Sequence, residues 1–144
     1  MSATFGVPPT LVNGIIAGGR NCMFAASENA EDGDEAGRRD IRENGVSAGD
    51  VVVGISVAGG AAYVASALCE AKALGAQAVA LTCNGGSAIS RESDLTICTD
   101  TGVEVIIGFT RMKVGSAHKM VLNILTTCAL VKNGNVYEKL MINL

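Results

Sequence analysis

Aliphatic residues gather along this chain in short unbroken runs, separated by stretches in which apolar positions recur every three or four residues. The runs are Gly14-Ile-Ile-Ala17, Val51-Val-Val-Gly-Ile-Ser-Val57, Ala78-Val-Ala-Leu-Thr-Cys83 and Leu95-Thr-Ile-Cys98. Continuous rather than alternating apolarity marks parallel strands covered on both faces, so buried strands are predicted at 14–17, 51–57, 78–83 and 95–98. Between them the pattern predicts a charged surface helix over 34–44 and apolar-faced helices over 61–74 and 111–132. Val64, Leu68 and Ala71 share one face of the second helix, and Ala117, Val121, Leu125 and Cys128 one face of the third. Each helix stops at a glycine (Gly45, Gly75 or Gly134), the residue that most readily takes the left-handed conformation past a C-terminus. Strand and helix alternate, which predicts an α/β fold: one layered α/β/α domain with a parallel sheet, spanning residues 1–144.

Composition narrows the function. The chain is 49% hydrophobic but only 3% aromatic, with 18 glycines and a mean hydropathy of +0.36. That describes aliphatic packing with few surfaces for stacking bases. A net charge of −3 and a pI near 5.1 lack the concentrated positive field that a polyanion needs, so no nucleic-acid partner is expected. The five cysteines are odd in number and form no C-x-x-C pair; they read as reduced, mostly buried thiols of a cytoplasmic protein, not metal ligands. No signal peptide opens the chain and no apolar run approaches the ~20 residues of a membrane span, so no membrane association is expected.

In such sheets ligands sit beyond the carboxyl ends of the strands, where the loops 18–21, 56–62, 83–90 and 99–113 would converge. The loop holding Ser56, Gly59 and Gly60 follows a strand and opens a helix. Either its amides cradle a phosphate, or its two glycines only make a tight turn. The next loop offers Asn84 and Ser87. In the last, Glu104 precedes a basic, glycine-punctuated turn with Arg111 and Lys113 at a helix opening, an arrangement suited to an anion. A phosphorylated small molecule is the first ligand to consider. Five carboxylates crowd into Glu28-Asn-Ala-Glu-Asp-Gly-Asp-Glu35. They read either as an acid/base group with raised pKa values or as a solvated acidic face. His118, the lone histidine, reads as a surface or packing residue, and no Ser/His/Asp or Cys/His arrangement is visible.

Several of these segments in order, Thr4-Phe-Gly-Val-Pro-Pro9, Gly14-Ile-Ile-Ala-Gly-Gly19, Glu28-Asn-Ala-Glu-Asp32, Asp50-Val-Val-Val-Gly-Ile55, Cys83-Asn84, Glu104-Val105, Thr110-Arg-Met-Lys-Val-Gly115 and Val121-Leu-Asn123, resemble the N-acetylmuramic acid 6-phosphate etherases. Those are sugar isomerase (SIS) domain proteins related to the regulatory protein of glucokinase. The resemblance implies a lyase of cell-wall recycling that removes D-lactate from N-acetylmuramic acid 6-phosphate, using two glutamates and neither metal nor cofactor. Glu31 corresponds to one of those glutamates. Ser56, Gly59, Gly60, Asn84, Ser87, Glu104, Arg111 and Lys113 become the expected substrate-binding residues.

The departures carry consequences of their own. The family's other glutamate belongs to an Asp-Ala-Ser-Glu segment ahead of Thr-Phe-Gly, and this chain reads Met1-Ser-Ala before Thr4. The family's first strand and its Gly-Thr-Ser-Gly loop have no counterpart, and Val57-Ala-Gly-Gly-Ala-Ala62 stands where the family carries Ala-Ser-Gly-Arg-Thr-Pro. Each missing hydrogen bond to a phosphate forfeits about 1 to 3 kcal/mol, and a missing acid/base group costs ~10² to 10⁴ in rate. In the family's strand order the first strand would lie between the strands at Gly14 and Val51. Its absence predicts two unpaired edges that close on each other, or take a partner (a second copy as a homodimer or a complementing N-terminal fragment), or belong to a longer protein of which this sequence is a part. Three readings follow: an etherase homologue with impaired or split activity, a non-catalytic SIS module that binds a sugar phosphate or regulates a partner protein, and a structural remnant without a ligand.

Overall fold

The computed structural model describes residues 5–138 and the backbone of Leu140 and Met141; Thr4, which opens the first matching motif, lies outside the described residues. Three 3-10 turns at Pro9–Leu11, Arg20–Met23 and Ala30–Asp32 lead into helix α1 (Asp34–Glu43). Then follow β1 (Val51–Ile55), α2 (Ala62–Ala73), β2 (Gln77–Thr82), α3 (Ala88–Glu92), β3 (Leu95–Cys98) and α4 (Lys113–Lys132). A short antiparallel pair, β4 (Val136–Tyr137) with β5 (Leu140–Met141), follows α4.

The strands β1, β2 and β3 form a parallel sheet in chain order, with Val53 opposite Val79 and Val79 opposite Leu95. Strand residues alternate faces, so Val52, Gly54, Ala78 and Ala80 point to one side. There they meet α2 in two aliphatic clusters, one around Ile41, Ala67, Ala71 and Ala76, the other around Leu68, Ala78, Ala80 and Ile89. Gly54 sets the closeness of this packing: a Cβ there would lie 2.7 Å from Val64 Cγ1 and 2.8 Å from Leu68 Cδ1. The expected face of α2 is the observed one, with Leu68 and Ala71 fully buried.

Helix α1 lies alongside α2 and runs the same way. Ser66 Oγ donates to the Asp34 carbonyl at 2.7 Å, while near the other end Arg42 grips Glu70 through Nε and Nη2 at 2.7 and 2.9 Å. Between them the Tyr63 hydroxyl donates to Asp40 at 2.6 Å. The amino ends of α1 and α2 therefore lie at the carboxyl end of the sheet, because α2 follows directly from that end of β1.

The opposite sheet face carries Val51, Val53, Ile55, Val79, Leu81, Leu95 and Ile97, with the polar Gln77 opposite Val51 at its amino end. Helix α4 meets this side of the sheet at its carboxyl end, where Cys83, which continues the Val79 and Leu81 side of β2, touches His118. Coverage is partial. Leu81 is fully buried, but Val51 is 57%, Ile55 42% and Leu95 58% exposed.

Three expectations are corrected. Residues 14–17 form no strand; the Gly19 amide turns back to the Ile16 carbonyl at 2.9 Å, and Ile15 and Ile16 are exposed. A strand is held by its neighbour's ladder, and no strand lies beside this run among the described residues. It does not close onto β1, which pairs with β2 alone. Second, the buried positions of α4 are Val114, His118 and Leu130; of the predicted stripe, Ala117 and Val121 are half-buried and Leu125 and Cys128 exposed. Third, no cysteine is fully buried: Cys22, Cys69 and Cys83 are half-buried, Cys98 and Cys128 exposed, and all five are free.

Helix α4 also qualifies the reading of the apolar runs. Its 20 residues, with a mean hydropathy of 1.3 over the most apolar window, are long and apolar enough to cross a membrane by length and composition. No single run shows this because Lys119, Asn123 and two threonines interrupt the aliphatic residues.

Candidate functional site

The carboxyl ends of β1 and β2 are tied together by their own loops. The Ser56 amide donates to the Leu81 carbonyl (3.2 Å), the Cys83 amide to the Val57 carbonyl (2.9 Å), and Thr82 Oγ1 to the same carbonyl (2.9 Å). Thr82 Oγ1 also accepts the Asn84 amide at 3.1 Å, so one hydroxyl links both loops. Gly59 takes φ +73°, and its carbonyl accepts the Ile89 amide at 3.1 Å. A Cβ on Gly59 would collide with Ser87 and reach within 3.0 Å of Thr82 Oγ1. Glycine is needed here for both conformation and contact.

Ser56, Gly59, Asn84 and Ser87 are thereby brought into one cluster, and their roles differ. Ser87 is buried and its hydroxyl is 2.9 Å from Ser90 Oγ, so it serves the turn. Asn84 is exposed; its Oδ1 accepts the Gly86 amide at 3.2 Å. Gly60 is exposed with open space where a side chain would stand. Just beyond it α2 begins at Ala62, and Ala61 at its N-cap provides no side-chain cap, leaving the amides of its first turn unclaimed by any side chain.

The amino end of α4 is the opposite case. Glu104, the residue expected to touch substrate, caps it: Oε2 accepts the Lys113 amide at 3.1 Å and Oε1 the Val114 amide at 3.0 Å. These amides, above all that of Val114, hold the Glu104 carboxyl below its usual range. The place read in the sequence as an anion site is filled by the chain's own carboxylate. The two cations of this loop are also engaged. Lys113 Nζ donates to the Val103 carbonyl at 2.6 Å, and the Arg111 guanidinium lies 5.1 Å from the centre of the Phe109 ring.

Glu31 sits on the turn Ala30–Asp32 just before α1, at the carboxyl end of the sheet beside α2. Its carboxylate is exposed and makes no hydrogen bond or ion pair with the described residues, so nothing ties it to Asn84 or to the loop of Glu104. The other acids of the cluster disperse. Asp34 pairs with Arg38 at 3.7 Å, and Glu28 lines an open cavity of about 430 Å³ between Gly18, Gly19 and the flank of α1 at Ala36, Arg39 and Asp40. That cavity includes none of the residues expected to bind substrate.

One constellation was invisible in the sequence. Cys83 Sγ lies 3.2 Å from Thr99 Oγ1 and 3.8 Å from His118 Nε2, joining the ends of β2 and β3 to α4. His118 is 7% exposed, and burial pushes its pKa down. The two residues are 35 positions apart on different elements, so no local spacing announces the pair.

The sequence model of the SIS domain family matches residues 23–128. The chain is 49% identical over 140 residues to N-acetylmuramic acid 6-phosphate etherase 1 of Bacillus licheniformis, covering 97% of this chain and 46% of that protein. It is 48% identical over 141 residues to the N-acetylmuramic acid 6-phosphate etherase of Symbiobacterium thermophilum (98% and 47%), and 45% identical over 140 residues to that of Bacillus subtilis (97% and 46%). The chain spans about half the length of the curated relatives it matches.

Proposed function

The chain belongs to the SIS domain family, and from that premise we propose that residues 1–144 form one partial SIS domain serving N-acetylmuramic acid 6-phosphate etherase chemistry. The observation that carries this reading is the near-half identity to named etherases over almost the whole chain. In that reaction the ether bond to D-lactate is broken by elimination, and water then adds to the sugar, leaving N-acetylglucosamine 6-phosphate. The process is one of cytoplasmic cell-wall recycling.

The uncapped amides of α2, with Ser56, Gly59 and Gly60 in front of them and Asn84 alongside, support a seat for the sugar phosphate. Ser87 shapes that seat, and Glu104, Arg111 and Lys113 border it from the α4 side. Glu31 is the acid/base group, moving a proton to or from the sugar. The second acid is that of the family's Asp-Ala-Ser-Glu segment, which a complementing fragment would supply.

Incubation with N-acetylmuramic acid 6-phosphate, with and without an added fragment carrying the Asp-Ala-Ser-Glu segment, tests this by assay of D-lactate. Release that needs the fragment and is lost in Glu31→Gln is the expected result. Release unaffected by Glu31→Gln would remove the catalytic assignment. A second reading, a non-catalytic sugar-phosphate module, is favoured by the engaged cations of the α4 loop and the unattached Glu31. Sugar-phosphate binding with no lactate release under either condition would establish it.

A further inference from the structure

Cys83 directly follows β2 on the side opposite α2, half-buried, with its sulfur directed at α4. Facing it is His118 Nε2, on an imidazole that burial keeps towards its neutral form. A neutral imidazole nitrogen beside a thiol is placed to take the thiol proton, and the thiolate is the nucleophilic form of cysteine. Thr99 Oγ1, at 3.2 Å, gives the sulfur a hydroxyl partner that can donate once the proton has left. The other cysteines lack this pairing. Cys69 accepts a bond from Arg38 Nη1 at 3.7 Å, while Cys22, Cys98 and Cys128 make no hydrogen bond with the described residues.

We infer that Cys83 is a thiol-exchange site for small disulfides, with His118 as its base, set between the Asn84 loop and the start of α4. In the exchange the Cys83 proton passes to His118 Nε2 as Sγ bonds to the nearer sulfur of the disulfide. The original sulfur–sulfur bond breaks, and the departing thiolate takes the proton back from the imidazolium. Cys83 ends as a mixed disulfide, one half of the incoming disulfide leaves as a thiol, and His118 is restored. The adduct lies against Thr99 and His118, at the ends of β2 and β3 and the first turns of α4. Cys83 modification therefore couples the redox state to the docking of α4, whatever ligand the neighbouring loops hold.

The test is to treat the whole chain with oxidised glutathione, quench at intervals, and locate the adducts by peptide mass mapping. Cys83 is expected to react first, about tenfold or more ahead of Cys98 and Cys128 although both are more exposed, and His118→Gln should slow Cys83 alone by a similar factor. Modification of Cys98 or Cys128 ahead of Cys83 would overturn the inference. So would a Cys83 rate unchanged in His118→Gln. Should that variant fail to fold, the order of reaction in the unsubstituted chain decides by itself.

Discussion

Glu104 spans the amino end of α4, with one carboxylate oxygen on the Val114 amide and the other on the amide of Lys113. The positive end of the longest helix is thus closed from within, by a residue nine positions upstream of the helix's first residue. A phosphate seeking that place would have to displace a covalently tethered competitor. Glu104→Ala should lower Tm by a few degrees, and Glu104→Gln by less, because an amide oxygen still accepts one of the two bonds. Thermal unfolding followed by circular dichroism measures both.

The same cap has a pH signature. Glu104 is held below its ordinary value, so its contribution is complete above that value and is lost as the pH falls through the lowered one. Protection of the amides in the first turn of α4, taken relative to their intrinsic exchange rate, should therefore fall below about pH 4 in the parent chain, and change less in Glu104→Ala.

His118 acts at a higher pH. Burial favours its neutral form, so the folded pKa lies below the ordinary 6.5. The associated stability is complete above 6.5 and declines as the pH drops through the folded value. Protection of the α4 amides, taken relative to their intrinsic exchange rate at each pH, should be lower near about pH 5 than near about pH 7.5, and this difference should vanish in His118→Gln. A flat response in the parent chain would show that the imidazole does not hold the helix.

Adjacent glycines should behave differently. Gly59→Ala introduces a Cβ into Ser87 at a positive φ and should cost about 1 to 3 kcal/mol. Gly60→Ala meets open space and should change stability by less than about 0.5 kcal/mol. Urea denaturation of the two variants distinguishes them.

Tyr63→Phe removes the hydroxyl bonded to Asp40 while keeping the buried ring, at a cost of about 1 kcal/mol. That hydroxyl is also the main cause of the lowered Asp40 pKa, so the carboxyl should titrate higher in the variant when followed by NMR.

Much of the architecture was legible because the parallel strands are buried on at least one face and leave unbroken aliphatic runs. The strands at Val51, Gln77 and Leu95 and the helices at Asp34, Ala62 and Lys113 lie within two residues of expectation. The run at Gly14 misled because apolarity reports a wish for burial and says nothing about whether a neighbouring ladder exists. The α4 stripe misled for a related reason: that helix is apolar on more than one side, with Met120, Ile124 and Val131 exposed, so periodicity alone could not choose the docked face. At the site, the loops of Ser56 and Asn84 were found from strand ends, whereas the Glu104 cap and the Cys83–His118 pair depend on how a distant segment folds back.

Because β1, β2 and β3 pair in the order of their synthesis, each crossover can close on the strand just made while the rest of the chain is still emerging from the ribosome. The side that meets α4 through Cys83 and His118 is finished last. Val51, Ile55 and Leu95 stay exposed even after α4 has formed, so this apolar strip is open to other chains both during synthesis and in the finished fold, and association there depends on concentration more than on how fast α4 arrives.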